Sequence, residues 1–110
     1  MKPRVKVWIV FGDDVKLGEG RARLLELVDR LGSLRRAVAS VGMSYRNGWG
    51  YFRDLERASG IRFLEAAPGG RRSGTRLTAE GRAFLVRYRR FRDGLEAATD
   101  RHFRRAFRRR

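Results

Sequence analysis

The sequence contains no cysteine, a single histidine, and no apolar run near the roughly 18 residues that a membrane span requires. The first absence excludes disulfides, thiolate zinc sites and cysteine nucleophiles, and it fits a reducing compartment. Met1-Lys2-Pro3-Arg4 leads into an alternating segment and not into a secretory h-region, so the expectation is a cytoplasmic protein without a membrane partner. Acidic groups are scarce: 12 Asp and Glu stand against 27 Lys and Arg, a net charge of +15. Such an excess calls for polyanionic partners, nucleic acid first. With 110 residues the chain suffices for one domain, and 42% apolar and 11% aromatic residues suffice for a core. A multi-domain enzyme and wholesale disorder are both excluded.

The charge is polarised along the chain. Residues 1–55 carry 11 basic and 6 acidic groups, whereas residues 56–110 carry 16 and 6, and 24 of the 27 cations are Arg. Guanidinium suits bidentate contacts to phosphate and guanine. A GC-rich genome favours the same Arg-for-Lys bias, so only placement can decide.

Val5, Val7, Ile9 and Phe11 recur with period two, with Arg4, Lys6 and Trp8 on the other face, which predicts a strand over 4–11. Gly12-Asp13-Asp14 turns the chain, and Val15 to Leu17 returns to complete a hairpin. From Glu19 the apolar period becomes helical through Ala22, Leu25 and Val28 until Gly32, after which Ser33 caps a second helix over 34–41 with Leu34, Ala37, Val38 and Val41 facing inward. Gly42-Met43-Ser44 is the next turn, with Met43 as a buried plug and Ser44 as the N-cap of a helix over 45–58. Two short helices joined by a three-residue turn containing Gly form a helix-turn-helix. Met43, Trp49, Phe52 and Leu55 are expected to pack inward, leaving Tyr45, Arg46, Asn47, Gly50, Arg53 and Asp54 outward.

A strand from Ile61, a Gly-rich basic loop over 68–74 and a returning strand at Thr75 to Leu77 follow directly, which describes a wing. Thr78 then caps a last helix in which Gly81, Phe84, Tyr88, Phe91, Leu95, Ala98 and His102 are spaced alternately by three and four. About 25 helical residues span roughly 37 Å, more than a small domain's own core, so this seam is expected to meet a second copy of itself. Residues 101–110 end the chain with six Arg and no acid, with Phe103 and Phe107 one turn apart. Basic tails of this kind bind DNA, RNA or anionic lipid alike, or stay solvated.

The helix beginning at Tyr45 carries the chemistry of a reading head. Arg46 matches guanine N7 and O6, Asn47 matches adenine N6 and N7, and Ser44 and Tyr45 suit phosphate. A plain helical hairpin with a solvated polar face has the same spacing. Gly48 and Gly50 each cost about 1 kcal/mol relative to Ala inside a helix; Gly48 is expected against the second helix, and Gly50 either faces the groove or is a tolerated defect. Arg71 and Arg72 in the wing are placed to follow phosphates or enter a minor groove, unless the loop is simply solvated. His102 lacks partners for a metal site, and Asp13, Asp14, Glu19 and Glu26 have no neighbouring base or nucleophile. No catalytic group, metal site or cofactor is expected, and the protein is not read as an enzyme.

Gly32-Ser33-Leu34, the run from Ala37 to Trp49, Gly69-Gly70 and Leu77-Thr78-x-x-Gly81 together resemble the N-terminal DNA-binding domain of the molybdate-responsive, ModE-type transcriptional regulators. The likeness covers about residues 5–90, and Ser44-Tyr45-Arg46 with Trp49 is its most specific part. LysR-type winged helices share the Leu-Thr-x-x-Gly start of the last helix. The resemblance implies a dimeric winged helix-turn-helix in which Ser44, Tyr45 and Arg46 approach DNA and the terminal helices pair the subunits. Glu65-Ala66 stands where Glu-Arg is common, and the wing is shorter than the family's. With the sequence ending at Arg110, the family's molybdate-binding domain is expected to be lacking, so a molybdate response is not implied.

The resulting expectation is a mainly α fold with a small β component. It comprises a winged helix-turn-helix over 1–78, made of a hairpin at 4–17, helices at 19–31, 34–41 and 45–58 and a wing at 61–77, then a long dimerisation helix with a basic tail over 79–110. The expected partners are double-stranded DNA, a second copy of the chain and a separately encoded sensing protein. The DNA contacts are Ser44, Tyr45, Arg46, Asn47, Gly50, Arg53, Arg71 and Arg72, and the dimer contacts are Phe84, Tyr88, Phe91, Leu95, Ala98 and His102. The rival readings are an architectural protein that binds nucleic acid without sequence preference and an effector-sensing dimeric interaction module.

Overall fold

In a computed structural model, which describes residues 1–70 and 73–108, the chain forms two short antiparallel hairpins and four helices. The first hairpin pairs β1 (Ile9–Phe11) with β2 (Val15–Leu17) in the register Ile9 to Leu17 and Phe11 to Val15. Helix α1 (Glu19–Leu31), helix α2 (Leu34–Ser40) and helix α3 (Tyr45–Ser59) follow. The second hairpin pairs β3 (Leu64–Ala66) with β4 (Thr75–Leu77), and helix α4 (Ala79–Ala106) follows. The architecture is mainly α with a small β component, a winged helix-turn-helix ending in a long helix.

The helix starts follow from side-chain chemistry. Ser33 and Ser44 accept from the backbone N–H of Arg36 and Asn47, each at 3.1 Å, and Thr78 accepts from Gly81 at 2.9 Å. Each hydroxyl satisfies an amide that has no partner within its helix. Between Ser40 and Ser44, Val38 keeps the chain turning: its carbonyl accepts from both Val41 and Met43. The turn brings α3 so close to α2 that a Cβ on Gly48 would lie 2.5 Å from Cγ1 of Val38. Only a residue without a side chain fits that crossing.

One core joins all the elements. Leu25 and Val28 of α1, Leu34 and Ala37 of α2, Phe52 and Leu55 of α3 and Phe63 before β3 are fully buried, with Leu77 and Leu85 nearly so. The wing is fixed to the helices from both ends. Glu56 of α3 accepts at Oε2 from the backbone N–H of Phe63 (2.7 Å) and of Leu64 (3.1 Å), and Thr75 donates its N–H to the carbonyl of Gly32 at 3.1 Å. Gly74, at φ +110°, sits where any Cβ would strike that same carbonyl.

Two expectations about element ends are corrected. The strand expected over 4–11 begins at Ile9: Val5 and Trp8 are exposed, and the arm instead lies beside α4, where Pro3 and Lys6 share a cleft with Glu96, Thr99 and Asp100. Alternation without a partner strand leaves the ladder unpaired. Helix α2 ends at Ser40, with Val41 as its C-cap and 45% exposed, because Gly42 at φ +73° already turns the chain there.

The larger correction concerns the seam of α4. Gly81 and Tyr88 are buried in the domain's own core, Tyr88 at 1% exposure, and Phe84 packs its ring on Phe63 and Phe11 at 5.5 and 5.8 Å. Phe84 and Tyr88, expected at a dimer contact, therefore serve the intramolecular core. Beyond them the helix projects as a rod, stretching the molecule to 63 × 28 × 23 Å. Phe91 is exposed there, Leu95 and Ala98 are half-buried, and His102 is exposed. No helix among the described residues is long and apolar enough to cross a membrane.

Candidate nucleic-acid interface

The N-terminal turn of α3 stands on the surface. Ser44, Arg46 and Asn47 are exposed, as is Arg53 two turns on, whereas Tyr45 and Gly50 are half-buried. Tyr45 is held on both sides: the Arg35 guanidinium of α2 lies 4.0 Å over its ring, and Trp49 meets it edge-on at 6.1 Å. Cation–π and edge-to-face contacts of this type stiffen a side chain at little entropic cost. Arg46 and Asn47 thus stand beside a side chain that is packed on both sides. A Cβ on Gly50 would meet nothing within 4 Å, so this glycine keeps the surface of α3 low but is not forced by packing.

Two grooves flank the helix. Between α3 and the wing runs a cleft of about 740 Å³ whose walls include Arg46, Trp49, Gly50, Arg53, Arg62 and Leu64. On the other side, a groove of about 760 Å³ lies between the start of α2 and the wing, with Ser33, Arg35, Arg36, Tyr45 and Thr75 on its walls. Arg35, Arg36 and Arg62 were not singled out by the sequence reading. The signal for the first two was present in the Arg35-Arg36 doublet in the first turn after the Ser33 cap, which the fold carries to the side of the start of α3. Arg62 follows a helix end with no periodic cue. Arg71 and Arg72, the wing contacts expected from sequence, lie outside the described residues.

The ion pairs sort the surface into two halves. Asp29 pairs with Arg82 at 2.8 Å, Glu26 with Arg89 at 2.9 Å and Glu19 with Arg92 at 2.8 Å, and the hydroxyl of Tyr88 donates to Glu19 at 3.1 Å. Three of the domain's acids are thereby committed to the junction of α1 with α4. Burial, followed by the charge of Glu19, pushes the Tyr88 hydroxyl up to about 12, and the hydrogen bond to Glu19 holds Arg92 above the usual guanidinium range. Around α3 the balance is reversed. Glu65 pairs with Arg76 and Asp54 with Arg57, and no described carboxylate pairs with Arg35, Arg36, Arg46, Arg53 or Arg62. Among the described residues no three His, Asp or Glu side chains gather as they would around a metal ion.

A capped, exposed helix start, a basic groove on each side and a wing fixed at its base define a winged helix-turn-helix domain of the DNA-binding class. Its sequence is ModE-like. It is 38% identical over 72 residues to the molybdenum-pterin-binding protein MopA of Rhodobacter capsulatus, covering 64% of this chain and 27% of that protein. It is 34% identical over 86 residues to the molybdenum transport protein ModE of Azotobacter vinelandii, covering 77% of this chain and 32% of that protein. The match thus spans about a third or less of the length of these curated relatives. Among solved structures, the DNA-binding domain of CbnR in its complex with DNA superposes with a TM-score of 0.59 at 26% identity, covering 77% of this chain and 93% of that one. No protein-family model matches the chain.

Proposed function

We propose that the protein is a sequence-specific transcriptional regulator that binds double-stranded DNA as a homodimer on an inverted-repeat operator. The observation that carries this reading is the bare start of α3, where Arg46 and Asn47 project without a carboxylate partner from a helix braced by Tyr45 and Trp49. Base-reading helices place their first residues against base edges in the major groove. Arg46 and Asn47 read bases in this proposal. Ser44, Tyr45 and Arg53, with Arg35 and Arg36 beside them, contact phosphate, Gly50 admits the groove wall, and Arg71 and Arg72 extend the contact from the wing. The likeness to ModE and to the DNA-bound CbnR domain supports the same use of the fold.

Dimerisation falls to the projecting part of α4. Phe91 at 48% exposure, together with Leu95, Ala98 and His102, offers a stripe for the same stripe of a second copy. Two reading heads about one helical turn apart, roughly 34 Å, call for half-sites related by a twofold axis. Selection of bound duplexes from a random library tests the proposal. Recovery of an inverted repeat is the expected result; recovery of no motif, with binding that bulk DNA abolishes, would instead mark an architectural protein.

A further inference from the structure

The cleft between α3 and the wing is lined by three arginines, Arg46 and Arg53 from the helix and Arg62 from the segment leading into β3. Its two carboxylates are both engaged. Glu56 faces the backbone N–H groups of Phe63 and Leu64, and Glu65 faces Arg76 at 2.8 Å. The three arginines have no described carboxylate partner, so the cleft presents an excess of positive charge that attracts an anion. Trp49 and Leu64 line it with apolar surface that suits the deoxyribose between charged groups.

We infer that this cleft is a phosphodiester clamp in which Arg62, which lines the cleft together with Arg53, holds the DNA backbone that borders the base-reading turn of α3. The site rests on the DNA-binding reading and adds to it a contact that carries no sequence information. Arg62 is suited to that role because it stands outside α3. Its side chain is exposed, and its backbone carbonyl accepts from the Thr78 hydroxyl, which ties the segment to the start of α4. The arginine is therefore anchored through its main chain with its guanidinium free to meet a phosphate.

The experiment is fluorescence anisotropy of Arg62→Ala, Arg62→Lys and the unaltered protein on a selected duplex and on a scrambled one, across a range of salt. Removal of one phosphate contact should lower the slope of log K against log salt by about 0.9. It should also weaken both duplexes alike, by about tenfold at low salt. Arg62→Lys should retain the slope. A second arm replaces single phosphates by neutral methylphosphonates: the unaltered protein should lose affinity at one backbone position near the bases read by α3, where Arg62→Ala should lose nothing further. An unchanged slope for Arg62→Ala, or equal sensitivity of both proteins at every methylphosphonate, would overturn the clamp while leaving DNA binding intact. An unaltered protein that shows no salt-dependent retention of either duplex would overturn the DNA-binding reading itself, and the clamp with it.

Discussion

Gly48 and Val38 meet where α3 crosses α2, at a separation that leaves 2.5 Å between Cγ1 of Val38 and the point a Cβ on Gly48 would occupy. The helix-turn-helix depends on this contact, because it sets the depth at which α3 sits and so how far its first turn projects. Gly48→Ala gains about 1 kcal/mol of helix propensity but forces a methyl group into a filled crossing, at a cost of about 1–3 kcal/mol. A net destabilisation of up to about 2 kcal/mol in urea unfolding is expected. Val38→Ala in the same chain should recover part of it, so that the two changes are less harmful together than their sum. Additive losses would mean that the two residues do not share the strain.

The burial of Tyr88 beside Glu19 gives stability a specific alkaline limit. In the folded protein the Tyr88 hydroxyl is pushed from its ordinary 10.0 up to about 12, first by burial and then by the charge of Glu19. The folded state thus holds this proton more tightly than the unfolded chain does. The corresponding stabilisation, on the order of 3 kcal/mol, is complete below pH 10 and is lost as the pH rises through about 12. Between those values the unaltered protein should lose stability more steeply than Tyr88→Phe, which has no proton to release. Thermal unfolding of both at half-unit intervals from pH 9 measures the difference; parallel curves would show that the phenol does not couple to folding.

Most of the architecture was legible because its signals are local. The Ser33, Ser44 and Thr78 caps, the glycine stops and the switch from period two to helical spacing each act within a few residues, and the four helices start where those signals put them. What was not legible depends on partners distant in sequence. Alternation at Val5 and Val7 could not reveal that no strand lies opposite them. A three-four spacing from Gly81 to His102 could not reveal that Phe63 and Phe11 cover Phe84, so one periodic stripe serves two surfaces, the core up to Tyr88 and the open rod from Phe91. Arg62 reaches the α3 cleft only through the fold of the wing.

The proposed base reading by α3 and the proposed backbone contact by α2 make different demands on DNA. Arg46→Ala should cost about 1–3 kcal/mol on the selected site and relax the preference at one base pair, with little further loss on a scrambled duplex. Arg35→Ala and Arg36→Ala should weaken both duplexes alike and each lower the salt slope by about 0.9. Arg35→Ala should in addition loosen Tyr45, whose ring the guanidinium covers at 4.0 Å. A uniform loss for Arg46→Ala on every duplex would remove it from the base-reading set.

The division of the α4 stripe at Tyr88 can be tested by two substitutions that an uninterrupted dimer seam would treat alike. Phe91 is 48% exposed and touches no aromatic partner among the described residues, so Phe91→Asp should leave the isolated protomer's fold intact and weaken self-association at least tenfold in sedimentation equilibrium. Tyr88 is 1% exposed within the protomer, and Tyr88→Ala removes a ring from the core at a cost of about 3–5 kcal/mol, as large aromatic truncations do. Its melting temperature should therefore fall at every protein concentration, including those at which the unaltered chain is monomeric. If Phe91→Asp unfolds the protomer, or Tyr88→Ala only dissociates a dimer, the boundary between core and rod lies elsewhere on the helix.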